Sequence, residues 1–244
     1  MNDKQNFEIK PMGECAIHII FGTAINPTIH KLVKGMSDYL ETHTFKGFVE
    51  YIASYTAVTV MYNPYVVTKA YSLDNSHRVY EYLSGLLSEY ATKAGQMPAT
   101  KPNIVEIPVC YGGEYGPDLE QVAEYHHLTT EEVIKIHSSG EYLVYMIGFC
   151  PGFPYLGGLD KRIATPRRES PRLAIPARSI GIAGEQTGGY PISTPGGWNL
   201  IGRSAVEMFD VKNTKHPSLL KAGDIVHFKA ISCEEYEVIR GNAK

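Results

Sequence analysis

Three arginines crowd one short stretch: Arg167, Arg168 and Arg172 fall within residues 165–172, among prolines that hold the backbone extended. Guanidinium groups are planar forks that match carboxylate or phosphate oxygens, so this loop is a candidate for binding an anionic substrate or stabilising charge in a phosphoryl transfer. Equally, it reads as a solvated basic loop paired with acids elsewhere. Upstream, GFCPGFPYLGG (148–158) places Phe149, Phe153 and Tyr155 on backbone that bends tightly and exposes amides. That composition suits either a small-ligand pocket or a barrel corner packed by its own aromatics. Downstream, Gln186, Thr187, Tyr190 and Asn199 offer hydrogen-bonding groups, and Trp198, the single tryptophan, offers a flat face or a core anchor.

Other chemistries lack their signatures. There is no GxxxxGK[ST] phosphate loop, HExxH zinc motif, GxSxG elbow or strand–GxGxxG–helix unit. The nine histidines show no ligand spacing, and the neighbours His126 and His127 point apart on a helix. The four cysteines, Cys15, Cys110, Cys150 and Cys233, are widely separated with no CxxC, so neither a metal site nor a redox motif is expected. No nucleophile stands beside a base, and no catalytic dyad follows from the residues alone.

The 244 residues are 43% hydrophobic and 20% charged with a net charge of −3, which excludes a disordered chain and gives no sign of nucleic-acid or membrane-surface binding. The near-neutral total conceals an asymmetry. Residues 151–203 hold ten glycines, seven prolines and six of the eight arginines against three acids, Asp160, Glu169 and Glu185. The opening residues 1–10 are polar and no apolar run of membrane length occurs, so a reduced, cytoplasmic protein is expected.

Periodicity supplies the elements that must position these groups. Residues 14–21 read as a buried strand. Asn26 and Pro27 cap an amphipathic helix with Ile29, Leu32, Val33, Met36 and Leu40 on one face. Residues 47–53 and 57–62 form a hairpin stopped by Asn63 and Pro64, and residues 72–91 a second helix. With a strand at 103–109, this is the split βαβ, ferredoxin-like order. A Gly/Pro linker at 94–102 separates it from the rest of the chain, giving domains at 1–98 and 99–244; if the strand at 103–109 returns to the first sheet, the second domain starts only after it. Two short helices lie between 116 and 139, the second opened by the capping box Thr129-x-x-Glu132. Strands are expected at 142–149, 173–175, 179–183, 200–201, 205–209, 224–229 and 233–240, making the second domain a β-barrel with long loops.

With these residues laid out, the second half resembles the family of bacterial 5-oxoprolinase B subunits, also described as sporulation-kinase-inhibitor-like and as allophanate hydrolase subunit 1. The resemblance rests on YGGEYGPDL (111–119), residues 148–156, AIPA (174–177) with GIAG (181–184), QTG (186–188) with Tyr190 and Pro191, and STPGGW (193–198) with IGR (201–203). Arg178 and Gly189 depart from it, standing where a small and an aliphatic residue are expected. The resemblance implies an α+β chain, a ferredoxin-like domain followed by a cyclophilin-like β-barrel. It further implies partners, a homologous C subunit and an A subunit, in an enzyme that uses ATP, with magnesium, to open 5-oxo-L-proline to L-glutamate. On that reaction, Arg167 and Arg172 are the expected catalytic charges. Arg178, Gln186, Tyr190, Trp198, Asn199 and Phe153 are the expected substrate contacts, and no metal ligand is expected on the chain. Two other classes stay open: a regulatory protein that blocks autophosphorylation of a sensor histidine kinase, and a carboxyltransferase-type component of a urea-metabolising complex.

Overall fold

The computed structural model describes residues 7–73, 76–98 and 101–242. The chain divides between Lys101 and Pro102 into two compact units. Residues 1–6 of the polar opening, and residues 99–100 of the expected linker, lie outside the described residues.

The first unit is a four-stranded antiparallel sheet in the order β1-β2-β4-β3, formed by β1 (Glu8–Pro11), β2 (Ala16–Ile20), β3 (Phe48–Ala53) and β4 (Ala57–Tyr62). Helix α1 (Pro27–Thr42) begins where expected, with Pro27 in its first turn and Asn26 accepting from the Ile29 N–H at 3.0 Å. Its Val33, Met36 and Leu40 are buried with Ile17, Ile19, Val58 and Val60 of the sheet and Leu83 and Leu87 of α3 (Ser76–Gln96).

Two expectations are corrected by this sheet. The strand at 103–109 does not return to it. The position beside β2 is filled by β1, which the polar composition of residues 1–10 conceals because an edge strand needs few buried side chains. Asn63 and Pro64 also do more than end β4. They open a separate helix α2 (Pro64–Tyr71), with Asn63 accepting from Val66 N–H at 3.1 Å, the same Asn-Pro device that opens α1.

The second unit is a closed seven-stranded barrel in the order β10-β7-β6-β13-β5-β12-β9. Its strands are β5 (Ile104–Tyr111), β6 (Tyr142–Ile147), β7 (Pro154–Gly157), β9 (Ser179–Ala183), β10 (Gln186–Gly189), β12 (Asn199–Ser204) and β13 (Ile225–Ile231). A separate ribbon pairs β8 (Arg172–Ile175) with β11 (Thr194–Gly196). All barrel pairs are antiparallel except β5 with β13, whose register runs from Ile104↔Ile225 to Cys110↔Ile231. Inward-facing Ile107, Val109, Val144, Leu156, Ile180, Ile182, Ile201 and Val226 fill the interior.

Helices α4 (Leu119–Tyr125) and α5 (Thr130–Ser138) add Val122, Val133 and Ile136 to this core, and both halves of the Thr129/Glu132 capping box form. Residues 205–209, expected as a strand, carry only an isolated bridge from Phe209 to Ser218. The expected last strand is instead α6 (Cys233–Asn242). Its start is a capping box in its own right: Glu235 N–H donates to Ser232 Oγ at 3.1 Å and Ser232 N–H to Glu235 Oε2 at 2.8 Å.

Candidate functional site

Asp118 organises the arginine loop. It follows Pro117 at the start of α4, yet its carboxylate makes no helix cap. Instead Oδ2 accepts from Leu200 N–H at 2.7 Å while Asp118 N–H donates to Leu200 O at 2.9 Å, which locks the residue against β12. Arg172 Nη1 and Nη2 reach the two carboxylate oxygens at 2.8 and 2.7 Å, and Arg168 Nη1 reaches Oδ1 at 2.9 Å. Asp118 is 3% exposed. A buried carboxylate of this kind is tolerable only because several charge-assisted donors converge on it. Asp118 in turn pushes the Arg172 pKa up, since its hydrogen bonds favour the charged guanidinium. Three charges in this cluster leave one net positive charge, and the buried Arg168 Nε has no hydrogen-bond partner.

The rest of the loop is stitched to the barrel through its backbone. Asn199 donates its side-chain amide to Pro166 O at 2.8 Å and Ile182 O at 3.3 Å, and Arg168 N–H donates to Gly197 O at 2.8 Å. Arg167 lies between these anchors and is exposed. Its charge is felt at Tyr155 and Tyr190, opposing the upward push that burial gives both phenols; Tyr190 still ends at about 12.

Phe153, Tyr190 and Trp198 meet edge to face, with ring centroids 5.2 Å apart for Phe153–Tyr190, 5.5 Å for Phe153–Trp198 and 6.3 Å for Tyr190–Trp198. All three are buried, with Ile175, Ala183 and Leu200 completing a small second core. Of the aromatics of residues 148–158, Phe153 joins this core, Tyr155 packs against it partly buried and Phe149 is exposed. Gly188 makes that packing possible, because a Cβ there would stand 2.9 Å from Pro154 O and 3.0 Å from the Trp198 ring. At Gly189 the space of a side chain is taken by Met208, which accounts for the missing aliphatic residue.

The structure thus brings Phe153, Tyr190 and Trp198 together, with the Arg167 charge nearby. The other candidates go elsewhere. Arg172 is neutralised by Asp118, and the Asn199 amide is spent on backbone carbonyls. Arg178, in a left-handed turn at φ 69°, sends its guanidinium toward Tyr236 (3.1 Å to the hydroxyl) and Glu207 (3.7 Å). Gln186 is half-buried at the start of β10. Two cavities of about 570 and 510 Å³ open along β13, the first lined by Glu106, Ser138, Glu141 and His227, the second by Pro108, Ile231 and Val238; none of the eight candidates lines either.

Sequence reasoning missed Asp118 as an organiser and also a buried polar chain through the barrel. Thr187 Oγ1 donates to Gly181 O at 3.0 Å, so it accepts from His137 Nε2–H at 2.9 Å. The neutral ring then accepts at Nδ1 from the Tyr111 hydroxyl, at 2.7 Å. Burial alone lowers the His137 pKa to about 3, so the ring stays neutral. The available signal was its place on α5 beside Val133 and Ile136, which marks a core-facing position.

Among the described residues, no group of three His, Cys, Asp or Glu side chains is placed to hold a metal ion. No helix of the described residues is long and apolar enough to cross a membrane. What the site offers chemically is an anchored, positively charged loop that exposes Arg167 beside the packed Phe153, Tyr190 and Trp198 rings.

Residues 7–220 match the family described as carboxyltransferase domain, subdomain C and D. The 5-oxoprolinase B subunit of Bacillus subtilis (strain 168) is 47% identical over 234 residues, which cover 96% of this chain and 97% of that protein. The crystal structure of the conserved uncharacterized protein PH0987 from Pyrococcus horikoshii is 40% identical with a TM-score of 0.53, over 94% of this chain and all of that one. The crystal structure of TTHA0988 gives a TM-score of 0.74 at 31% identity over 89% of this chain; the match spans only 40% of that longer protein.

Proposed function

The chain belongs to the carboxyltransferase C/D-domain family, among the proteins named as B subunits of 5-oxoprolinase, and from that membership we propose that it is one component of an ATP-dependent enzyme that opens 5-oxo-L-proline to L-glutamate. The similarity to the B. subtilis protein over nearly the full length of both chains is the observation that carries this reading. A protein so named works with others, and the expected partners are the A and C subunits. In the finer fold terms of the family, the first unit is the ferredoxin-like domain and the barrel is cyclophilin-like.

The chemistry sets what this chain has to contribute. A lactam carbonyl is a weak electrophile, and transfer of the ATP γ-phosphoryl to its oxygen creates a leaving group and concentrates negative charge. Arg167, exposed on an anchored loop and free of an acidic partner among the described residues, is the group suited to stabilise that charge. Arg168, with Nη1 on Asp118 and Nε buried, adds positive charge to the loop. Arg172 is a positioning residue: with both Nη atoms on Asp118, it shapes the loop and leaves the transferred charge to its neighbours. Phe153, Tyr190 and Trp198 form the rigid base under the loop. The residues present include no glycine-rich phosphate loop leading into a helix, so we place the nucleotide on the assembled complex, where the Arg167 face meets its phosphates.

The test is ATP-dependent glutamate release from 5-oxoproline by this chain alone and with its A and C partners. Turnover is expected only in the reconstituted complex. Turnover by the isolated chain, or none by the complete set, contradicts the proposal. Single replacement of Arg167 by Ala in the complex then locates the chemistry, and unchanged turnover sinks the site assignment. Incorporation of labelled bicarbonate into product is the arm that reveals carboxyl transfer instead.

A further inference from the structure

Cys110 and Cys233 are separated by 123 positions, yet their sulfurs lie 3.1 Å apart. Cys110 is in β5 and buried, whereas Cys233 is the first residue of α6 and exposed. We propose that these two cysteines form a reversible thiol–disulfide site whose substrate is a low-molecular-weight disulfide, and that its oxidation pins α6 covalently to β5.

The geometry favours an internal bond because both ends are already held. The Ser232/Glu235 capping box fixes the backbone around Cys233. One turn on, Tyr236 packs against Tyr115 with ring centroids 4.5 Å apart, and near the helix end Arg240 pairs with Glu207 at 2.8 Å. Closing a sulfur contact to the ~2.05 Å of a disulfide then takes a shift of about 1 Å. The strand cannot move readily, since β5 pairs with both β12 and β13. Rotation of the exposed Cys233 side chain about its Cα–Cβ bond supplies the motion.

Accessibility orders the steps. Exposed Cys233, as the thiolate, attacks one sulfur of the small disulfide; the S–S bond breaks and one small thiolate leaves, taking up the proton Cys233 lost. Cys110 then attacks Cys233 Sγ, and the second small thiol departs with the Cys110 proton. Two protein thiols are oxidised, one disulfide is reduced to two thiols, and no net proton is released. Burial pushes the Cys110 thiol up, so little of its thiolate forms and the internal step is the slow one.

The full chain, reduced and desalted, is incubated with oxidised glutathione, blocked with N-ethylmaleimide, unfolded and digested. A linked peptide pair containing Cys110 and Cys233 is expected, with an intact mass lower by two hydrogen atoms, reversed by dithiothreitol. Backbone amides of α6 should exchange about tenfold more slowly in the oxidised form. C233S, a change at an exposed position, should give no linked pair and leave Cys110 as a free thiol. Recovery of Cys233 only as a glutathione adduct in the wild-type chain overturns the proposal, as does a linked form whose α6 exchange is unchanged.

Discussion

Asp118 and Arg172 are joined through two parallel hydrogen bonds, Nη1 to Oδ2 at 2.8 Å and Nη2 to Oδ1 at 2.7 Å, across 54 positions of sequence. The pair ties the start of α4 to the start of β8, and the Leu200 N–H on the same carboxylate ties both to β12. Replacing Asp118 by Ala leaves two guanidiniums without their counter-charge and a buried N–H without its acceptor. The expected loss is about 3–5 kcal/mol of barrel stability. Urea unfolding followed by Trp198 fluorescence measures it, because that single tryptophan sits in the barrel unit.

Arg167 and Arg172 should separate activity from stability. R167A removes an exposed side chain and is expected to leave the unfolding midpoint unchanged while lowering kcat of the reconstituted complex about 100-fold. R172A is expected to lower the midpoint. Assaying both variants for glutamate release and urea stability checks the contrast; a destabilised R167A would contradict the assignment of its charge to chemistry.

His137 makes the barrel sensitive to acid. Its ordinary pKa of 6.5 falls to about 3 in the fold, so the unfolded chain binds a proton that the native chain refuses. Stability is therefore full above about pH 6.5 and declines as pH falls toward 3, by roughly 1.4 kcal/mol per pH unit. Between pH 7 and pH 5 this contributes a loss of about 2 kcal/mol. In H137Q that contribution should vanish and the two midpoints draw together. Equal pH dependence in both proteins would refute it.

Gly188→Ala tests the aromatic base. The added methyl group meets the Pro154 carbonyl and the Trp198 ring at about 3 Å, and the ring must move. Overpacking of this kind costs about 1–3 kcal/mol, and a shift in Trp198 emission with a lower unfolding midpoint is the expected record.

Local signals in the sequence are legible wherever the chain's near neighbours decide the outcome. Asn26 with Pro27, and Thr129 with Glu132, start helices where their pattern places them, and the β3–β4 hairpin falls where its β-branched runs lie. The same kind of signal exists for α6, since Ser232 and Glu235 stand three apart; the apolar spacing of residues 233–240 masks it by suggesting a strand. Strand β1 is illegible for a different reason: with Ile9 its one partly buried apolar residue, it is defined by pairing to β2 and carries little pattern of its own.

Residue types and short spacings thus determined the α+β class, the barrel half, the helix caps and the basic, aromatic segment around residues 151–203, because each depends on contacts within a few positions or on composition. Tertiary structure alone decided which arginine is free and which is bound. Arg167, Arg168 and Arg172 are chemically alike in the sequence, and only the arrival of Asp118 from some fifty residues away distinguishes them. It likewise decided that Phe153, Tyr190 and Trp198 form a packed base, and that Cys110 and Cys233 are neighbours. Charge pairing and sulfur contact depend on distance in space, and barrel closure brings together groups that no sequence interval relates.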